Sequence, residues 1–312
     1  MKVVVTGGAG FIGSHLVDAL VERGDEVLVI DDLSTGSLEY VNASADFRQL
    51  DIRTPEAAAA VGQWRPDVVC HQAAQMSVSR SVREPLFDAS VNLVGGLNVL
   101  EAAREARARF LFASTGGALY GDAEVLPTPE SYPAWPVSPY GVAKLSFEHY
   151  LHCYREQHGL PYVALRYANV YGPRQNAHGE ANVVAIFCLK LLADQQPVIN
   201  GDGKQTRDLI HVADVVRANL LALDSHVAGH FNVGTGRQVD VNQLFHMISE
   251  RLGISAPEVH GPPRPGDQRT SALDSSLIAQ ELGWRPQITL EDGLRDTADW
   301  FRARAATART DR

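Results

Sequence analysis

Tyr140 and Lys144 stand four residues apart in "SPYGVAK", within a stretch that reads as helix from there to "EQHG". Side chains at that spacing share one helical face. A phenol with its ordinary pKa near ~10 is a poor base at neutral pH, and half-ionising it near pH 7 takes a shift of ~3 units, about 4 kcal/mol. A lysine ammonium one turn away favours the phenolate, so the pair suits removal of a proton from an alcohol. Two hydroxyls, Ser114 and Thr115, close the predicted strand "RFLFAST". Either could bind that alcohol and help pass its proton to Tyr140.

A second constellation lies at the N-terminus. Gly8-Ala9-Gly10-Phe11-Ile12-Gly13 matches G-x-G-x-x-G, and the same run starting at Gly7 matches G-x-x-G-x-x-G. The apolar run "KVVV" precedes it, a helical pattern follows it, and Asp31 and Asp32 end the next predicted strand. In that context the missing side chains let a dinucleotide pyrophosphate approach the backbone, and the helix beginning near Phe11 points free N–H groups at the phosphates. Asp31 would accept hydrogen bonds from the adenosine ribose. A carboxylate there repels a 2′-phosphate and no arginine follows in "DDLSTG", so NAD is favoured over NADP. The positive nicotinamide ring adds to the pull on Tyr140.

These residues need a scaffold, and the first half of the chain supplies its pattern. Short apolar runs ("KVVVTG", "EVLVIDD", "DFRQLDI", "PDVVCHQAA", "RFLFAST", "PYVALRYANVYG") alternate with helical stretches, including a long one over about 85–108. Such alternation predicts βαβ units, a parallel sheet covered on both faces and a doubly wound α/β fold of Rossmann type. Ligands then bind at the carboxyl edge of the strands, where Ser114 and Thr115 lie. Beyond about Gly172 glycine, proline and polar residues loosen the pattern. Helices are predicted near 182–194, 212–224, 240–252, 275–282 and 290–304, and the tail "ATARTDR" reads as frayed. The expected organisation is a dinucleotide-binding domain over 1–170 and a smaller mixed α/β substrate domain over 171–312, with about 208–235 packing back on the first.

The 312 residues, 45% hydrophobic and 21% charged, are ordinary for a soluble globular protein. The formal net charge of −9 argues against nucleic acid or an anionic membrane as partner. Three scattered cysteines, Cys70, Cys153 and Cys188, show no disulfide or metal spacing. No secretory signal and no membrane-length apolar run is evident, so a cytoplasmic enzyme is expected. His71, and His211 with Asp214 in "IHVAD", form no metal motif, and packing or capping roles are expected for them.

"VTGGAGFIGSH", "DDLSTG", "HQAA", Val91-Asn92, "ASTGGALYG", "SPYGVAK", "RYANVYGPRQ" and "GDGKQTRDLIHVADV" follow one another in the order seen in extended short-chain dehydrogenases/reductases. The chain resembles the UDP-glucose 4-epimerases of that superfamily over nearly its whole length. The resemblance implies that Tyr140, Lys144 and Thr115, with Ser114 as the alternative hydroxyl, are catalytic. It implies NAD contacts from Gly7, Gly10, Phe11, Ile12, Asp31, Asp32, Asp51, Ile52, Ala73, Ala74, Asn92, Tyr140 and Lys144. Nucleotide-sugar contacts fall to Asn169, Asn182, Arg207, Arg264 and Asp267, the arginines gripping the UDP diphosphate. Ser271, four residues beyond Asp267, matches a position bordering the sugar, and its small side chain implies room for an N-acetyl group. "STGGALYG" is one residue longer between hydroxyl and YG pair than the family's common loop. Sugar dehydratases of the superfamily carry an Asp-Glu pair after the catalytic threonine, whereas Gly116 and Gly117 follow here, which speaks against a 4,6-dehydratase. The resemblance also implies a homodimer pairing helices near 85–107 and 139–157. The expected activity is UDP-sugar 4-epimerisation on UDP-glucose/UDP-galactose, with UDP-GlcNAc/UDP-GalNAc as further substrates. A UDP-uronate epimerase, a decarboxylase or a reductase on the same fold, and a non-catalytic NAD sensor, are the rivals.

Overall fold

A computed structural model describes residues 1–176, 183–263 and 268–310. Its centre is a seven-stranded sheet, every strand parallel to its neighbours. In chain order the first elements are β1 (Lys2–Thr6), α1 (Phe11–Glu22), β2 (Glu26–Asp31), β3 (Asp46–Gln49), α2 (Pro55–Trp64) and β4 (Val68–His71). Short helices α3 (Val78–Arg83) and α4 (Pro85–Ala89) follow, and a π-helical stretch (Ser90–Gly95) leads into α5 (Gly96–Ala106). Then come β5 (Arg109–Thr115), α6 (Pro139–His158) and β6 (Tyr162–Tyr167). The helix expected over 85–108 is therefore broken in register by the π-helical stretch and stops at Arg107, whose φ is 58°.

Strand residues are buried on both faces and alternate between two cores, which explains the layers. Val3 and Val5 face a core with Leu16, Leu20 and Val215. Val4 between them faces the opposite core with Val61, Leu100 and Phe147. The strand order β3-β2-β1-β4-β5-β6 reverses direction between β1 and β4, which makes the crevice at their carboxyl ends the switch point where such sheets bind ligands. Helix α6 is well delimited: Ser138 Oγ accepts from Gly141 N at 3.2 Å, Pro139 opens it, and Gly159 closes it at φ 67°.

The run "PYVALRYANVYG" is two strands rather than one. It leaves the main sheet after Tyr167, where Ala168 N donates to Val233 O, and β7 (Asn169–Tyr171) starts a separate two-stranded sheet. Beyond it lie α7 (Val183–Leu192), β8 (Ile199–Asn200), β9 (Thr206–Arg207), β10 (Leu209–His211), α8 (Val212–Leu223) and β11 (Gly229–Val233). β10 pairs with β7, α8 packs on α1, and β11 extends the main sheet beside β6. The remainder is β12 (Val239–Asp240), α9 (Val241–Leu252), β13 (His260–Gly261), α10 (Ser276–Leu282) and α11 (Leu290–Thr310). Helices α7, α9 and α11 share a third core built on Phe187, Phe245 and Phe301. The frayed tail expected from residue 306 is helical through Thr310, because α11 continues in register from that core.

Candidate active site

The glycine loop is built by close approach. Gly7 has φ 72°, and a Cβ there would lie 2.6 Å from Ala73 N, so the loops after β1 and β4 touch. A Cβ on Gly13 would lie 2.1 Å from Gly7 O, so α1 can start against the loop only with glycine there. Gly10 is the N-cap of α1 and brings no side chain to it, and no acidic residue occupies the first turn. The first N–H groups of α1 are left open to an anion, as a pyrophosphate site requires.

Asp31 is buried at the end of β2. Its Oδ2 accepts from Ala9 N at 3.0 Å and its Oδ1 from Leu33 N at 2.8 Å, and burial pushes its carboxyl up. Asp31 thus clasps the glycine loop from the carboxyl end of β2. Asp32 is exposed and caps the turn through Ser34 N. Asp51 pairs with Arg53 at the crevice rim, which holds its carboxyl below the usual range. Buried Ile52 packs beneath it, and Ala73 and Ala74 line the turn after β4. Asn92 is buried and binds both the N–H (2.9 Å) and the carbonyl (3.0 Å) of Gln75, fixing that turn.

Tyr140 and Lys144 emerge from the first turns of α6 against the end of β5. A Cβ on Gly141 would lie 2.4 Å from Ala118 O, so the glycine after Tyr140 lets the loop following Thr115 press on the helix. Lys144 is 3% exposed, donates to Ala113 O at 2.8 Å and lies 4.6 Å from the Phe112 ring centroid and 5.9 Å from that of Tyr140. Burial lowers its pKa to about 8, against the pull of Asp88 and Glu148. Burial raises Tyr140 to about 12, and hydrogen bonding to Thr115 works the other way. The downward shift expected for Tyr140 is therefore not a property of the polypeptide's charges: desolvation outweighs them.

The two hydroxyls are separated by strand alternation. Thr115 faces Tyr140 and accepts from Ala118 N at 3.2 Å. Ser114 turns to the other side and donates to Glu148 Oε1 at 2.5 Å. Glu148 forms a buried pair with Arg166, whose Nη1 donates to Tyr120 OH at 2.7 Å, and Tyr120 donates to Asn232 Oδ1 at 2.9 Å. The sequence reading missed this network and Asp88. Glu148 continues the four-residue spacing of Tyr140 and Lys144 on α6, a signal that could have exposed it.

On the facing side, Asn169 opens β7 with its Oδ1 buried and, among the described residues, without a hydrogen-bond partner, 3.6 Å from where a Gly117 Cβ would be. Arg207 in β9 donates to Thr206 O (2.7 Å) and Gln268 O (2.8 Å), which fixes it to the segment ahead of Ser271. Ser271 is buried. Asn182, Arg264 and Asp267 lie outside the described residues. His71 is buried, hydrogen-bonded to Thr6 Oγ1 and lowered to about 3 by burial, while His211 caps α8. Among the described residues no group of three or more His, Cys, Asp or Glu side chains is placed to hold a metal ion, and no helix is long and apolar enough to cross a membrane.

A phosphate cradle at the switch point of a parallel sheet, facing a Thr-Tyr-Lys cluster, defines a dinucleotide-dependent enzyme of the short-chain dehydrogenase type. Residues 3–234 match the model of the NAD dependent epimerase/dehydratase family, and the chain belongs to that family. It is similar to the UDP-glucose 4-epimerase of Thermotoga maritima, solved with UDP-glucose, at 48% identity and TM-score 0.95, over 97% of this chain and 99% of that one. The Thermus thermophilus UDP-glucose 4-epimerase, solved with NAD, gives 47% and 0.92 over the same shares. The UDP-N-acetylglucosamine 4-epimerase of Methanobrevibacter ruminantium gives 37% and 0.92 over 97% and 98%.

Proposed function

We propose that the protein is an NAD-dependent UDP-sugar 4-epimerase acting on UDP-glucose and UDP-galactose. The observation that carries this reading is the convergence of the Tyr140 phenol, the Thr115 hydroxyl and the buried Lys144 ammonium on the crevice that holds the glycine loop. NAD held in that crevice by the glycine loop would supply the redox chemistry, as acceptor and then donor of a hydride. Around that exchange Tyr140 takes the proton of the C4 hydroxyl through or beside Thr115 and later gives it back. Lys144 spends one N–H on Ala113 O and keeps the others for the cofactor ribose. Asn169 and Arg207, with Asn182, Arg264 and Asp267, hold the nucleotide while the oxidised sugar turns over, so that hydride returns to its other face.

The small Ser271, at the position that the resemblance sets beside the sugar, and the likeness to a UDP-N-acetylglucosamine 4-epimerase extend the proposed substrates to UDP-GlcNAc and UDP-GalNAc. A homodimer fits the exposed apolar side chains Leu86 and Val94 beside Val142 and Tyr150 of α6. A cytoplasmic setting fits the three free thiols. Incubating the purified protein with UDP-glucose should yield UDP-galactose without added reductant, and the Tyr140→Phe protein should not. The same incubation with UDP-GlcNAc decides the wider range. Turnover of UDP-glucose undiminished by Tyr140→Phe would refute the assignment.

A further inference from the structure

Among the described residues, Asp88 Oδ2 is the buried carboxylate oxygen without a hydrogen-bond partner. Asp88 is 1% exposed in α4. Its Oδ1 accepts from Gln75 Nε2 at 2.7 Å and from Asn92 Nδ2 at 2.9 Å, both neutral amides. A buried carboxylate held by neutral donors alone is costly and persists as a charge only where a cation compensates it. Arg80 and Arg53 stack on the neighbouring Phe87 but are paired with Glu84 and Asp51, and the cation whose charge acts on Asp88 is Lys144, on the helix α6 against which α4 and the π-helical stretch pack.

The groups that face Lys144 are Asp88 from α4, Glu148 and Tyr140 from its own helix, and His71 from β4. His71 is neutral, and Glu148 is bound to Arg166 at 2.6 Å and to Ser114. Among the described residues Asp88 is in no ion pair, and its charge acts through space on Lys144 and Tyr140.

We propose that Asp88 is the counter-ion that keeps the buried Lys144 an ammonium, and that it thereby sets the pH window in which the site works. It is a positioning residue, acting through Lys144 and Tyr140 rather than on the sugar. The proposal rests on the epimerase reading above. Burial presses Lys144 toward about 8, and Asp88 is the largest influence opposing it. The same negative charge holds the Tyr140 phenol up, beyond what burial does. Catalysis needs Tyr140 ionised and Lys144 protonated, so Tyr140 governs the acid limb of the rate profile and Lys144 the alkaline limb. Removing the negative charge favours phenolate and disfavours ammonium, and both limbs slide to lower pH.

The test is the pH profile of kcat/KM for UDP-glucose in the NAD-loaded parent, Asp88→Asn and Asp88→Glu. Asp88→Asn should move both limbs down by about one unit or more, and Asp88→Glu should restore the parental window. A purely structural role would lower the rate or the melting temperature with the limbs in place, and limbs that stay put overturn the proposal. Should Asp88→Asn fail to fold, Lys144→Met carries the test by infrared spectroscopy. With the ammonium gone, Asp88 takes up a proton at higher pH than it does in the parent, and at one fixed pH an un-ionised carboxyl stretch appears that the parent lacks. Its absence from Lys144→Met overturns the proposal. A parent that does not interconvert UDP-sugars would sink the epimerase reading while leaving the infrared experiment intact, so the two failures are distinguishable.

Discussion

Replacing Gly116 by alanine drives a methyl group into Leu273. A Cβ at position 116 lies 2.3 Å from Leu273 Cδ1 and 2.8 Å from Cδ2. Carbon contacts are comfortable at ~3.5 Å, so the overlap is about an ångström. Leu273 is 1% exposed and cannot swing into solvent. Its N–H donates to Asp208 Oδ2 at 3.1 Å, and buried Asp208 is held in turn by Thr235 and Gly236. The strain therefore falls on the turn after Thr115, whose Gly116 N–H donates to Tyr167 O at 2.8 Å. Overpacking of this kind costs ~1–3 kcal/mol, and Leu273→Ala alone costs ~2–5 kcal/mol by opening a cavity. Because the two side chains compete for one volume, the double variant should be less destabilised than the two singles together by at least ~1 kcal/mol. Urea unfolding of the four proteins measures that coupling. Displacing Thr115 from Tyr140 should also cut kcat of Gly116→Ala by ~10-fold or more, with Leu273→Ala restoring part of it. Additive stabilities together with an unchanged kcat would refute the idea that Leu273 sets the hydroxyl turn. They would also remove the steric reason why a dehydratase-type acid cannot stand at 116.

Thr115→Ala should lower kcat by ~10²-fold or more. Ser114→Ala should spare kcat by comparison and cost ~1–3 kcal/mol in urea unfolding, since it strips a donor from buried Glu148; equal losses of kcat would exchange the roles. His71 is held near 3, below its unfolded value, so the unfolded chain binds the extra proton and stability falls as pH drops from about 6.5 toward 3. His71→Phe should flatten that acid limb of a stability-versus-pH curve by a few kcal/mol, and an unchanged slope would place the acid sensitivity elsewhere. Gly13→Ala should lose NAD, because its Cβ falls 2.1 Å from Gly7 O and 2.8 Å from Gly7 C, atoms of the cradle itself; a parental 260-to-280 nm absorbance ratio after gel filtration would count against it. In NAD-free protein the tyrosinate absorbance lost in Tyr140→Phe should titrate near 12, and titration at or below the ordinary phenol value would mean that burial does not dominate.

What was legible in the sequence is what short-range pattern encodes. Apolar runs gave the strands, and the glycines at 7, 10 and 13 announced a backbone that something must approach. Tyr140 and Lys144 declared themselves by helical spacing. Less legible were features that depend on distant partners. Asp88 and Glu148 belong to no motif, and their partners Gln75, Asn92 and Arg166 reach them only once the chain is folded. The choice between Ser114 and Thr115 depends on which face of β5 meets α6, and Ser114 is spoken for by Glu148. The break after Tyr167 was hidden because Asn169–Tyr171 is as strand-like as what precedes it; only the partner strand Leu209–His211 reveals that it belongs to another sheet.

The same burial that equips the Tyr140–Lys144 pair also disables it. It lifts the phenol to about 12 and lowers the ammonium to about 8, so the chain by itself favours a neutral tyrosine beside a lysine close to losing its charge. Working near neutral pH from that start requires moving the phenol by ~5 units, about 7 kcal/mol. Thr115 supplies part by hydrogen bonding to the ionised form, and Asp88 opposes it by raising the phenol while sustaining the ammonium. The rest has to come from positive charge beside the phenol, from the Lys144 ammonium and from the nicotinamide ring that bound NAD would bring. A cation seated beside the phenol would favour its ionised form just where a hydride acceptor stands ready, which would couple removal of the alcohol proton to the oxidation.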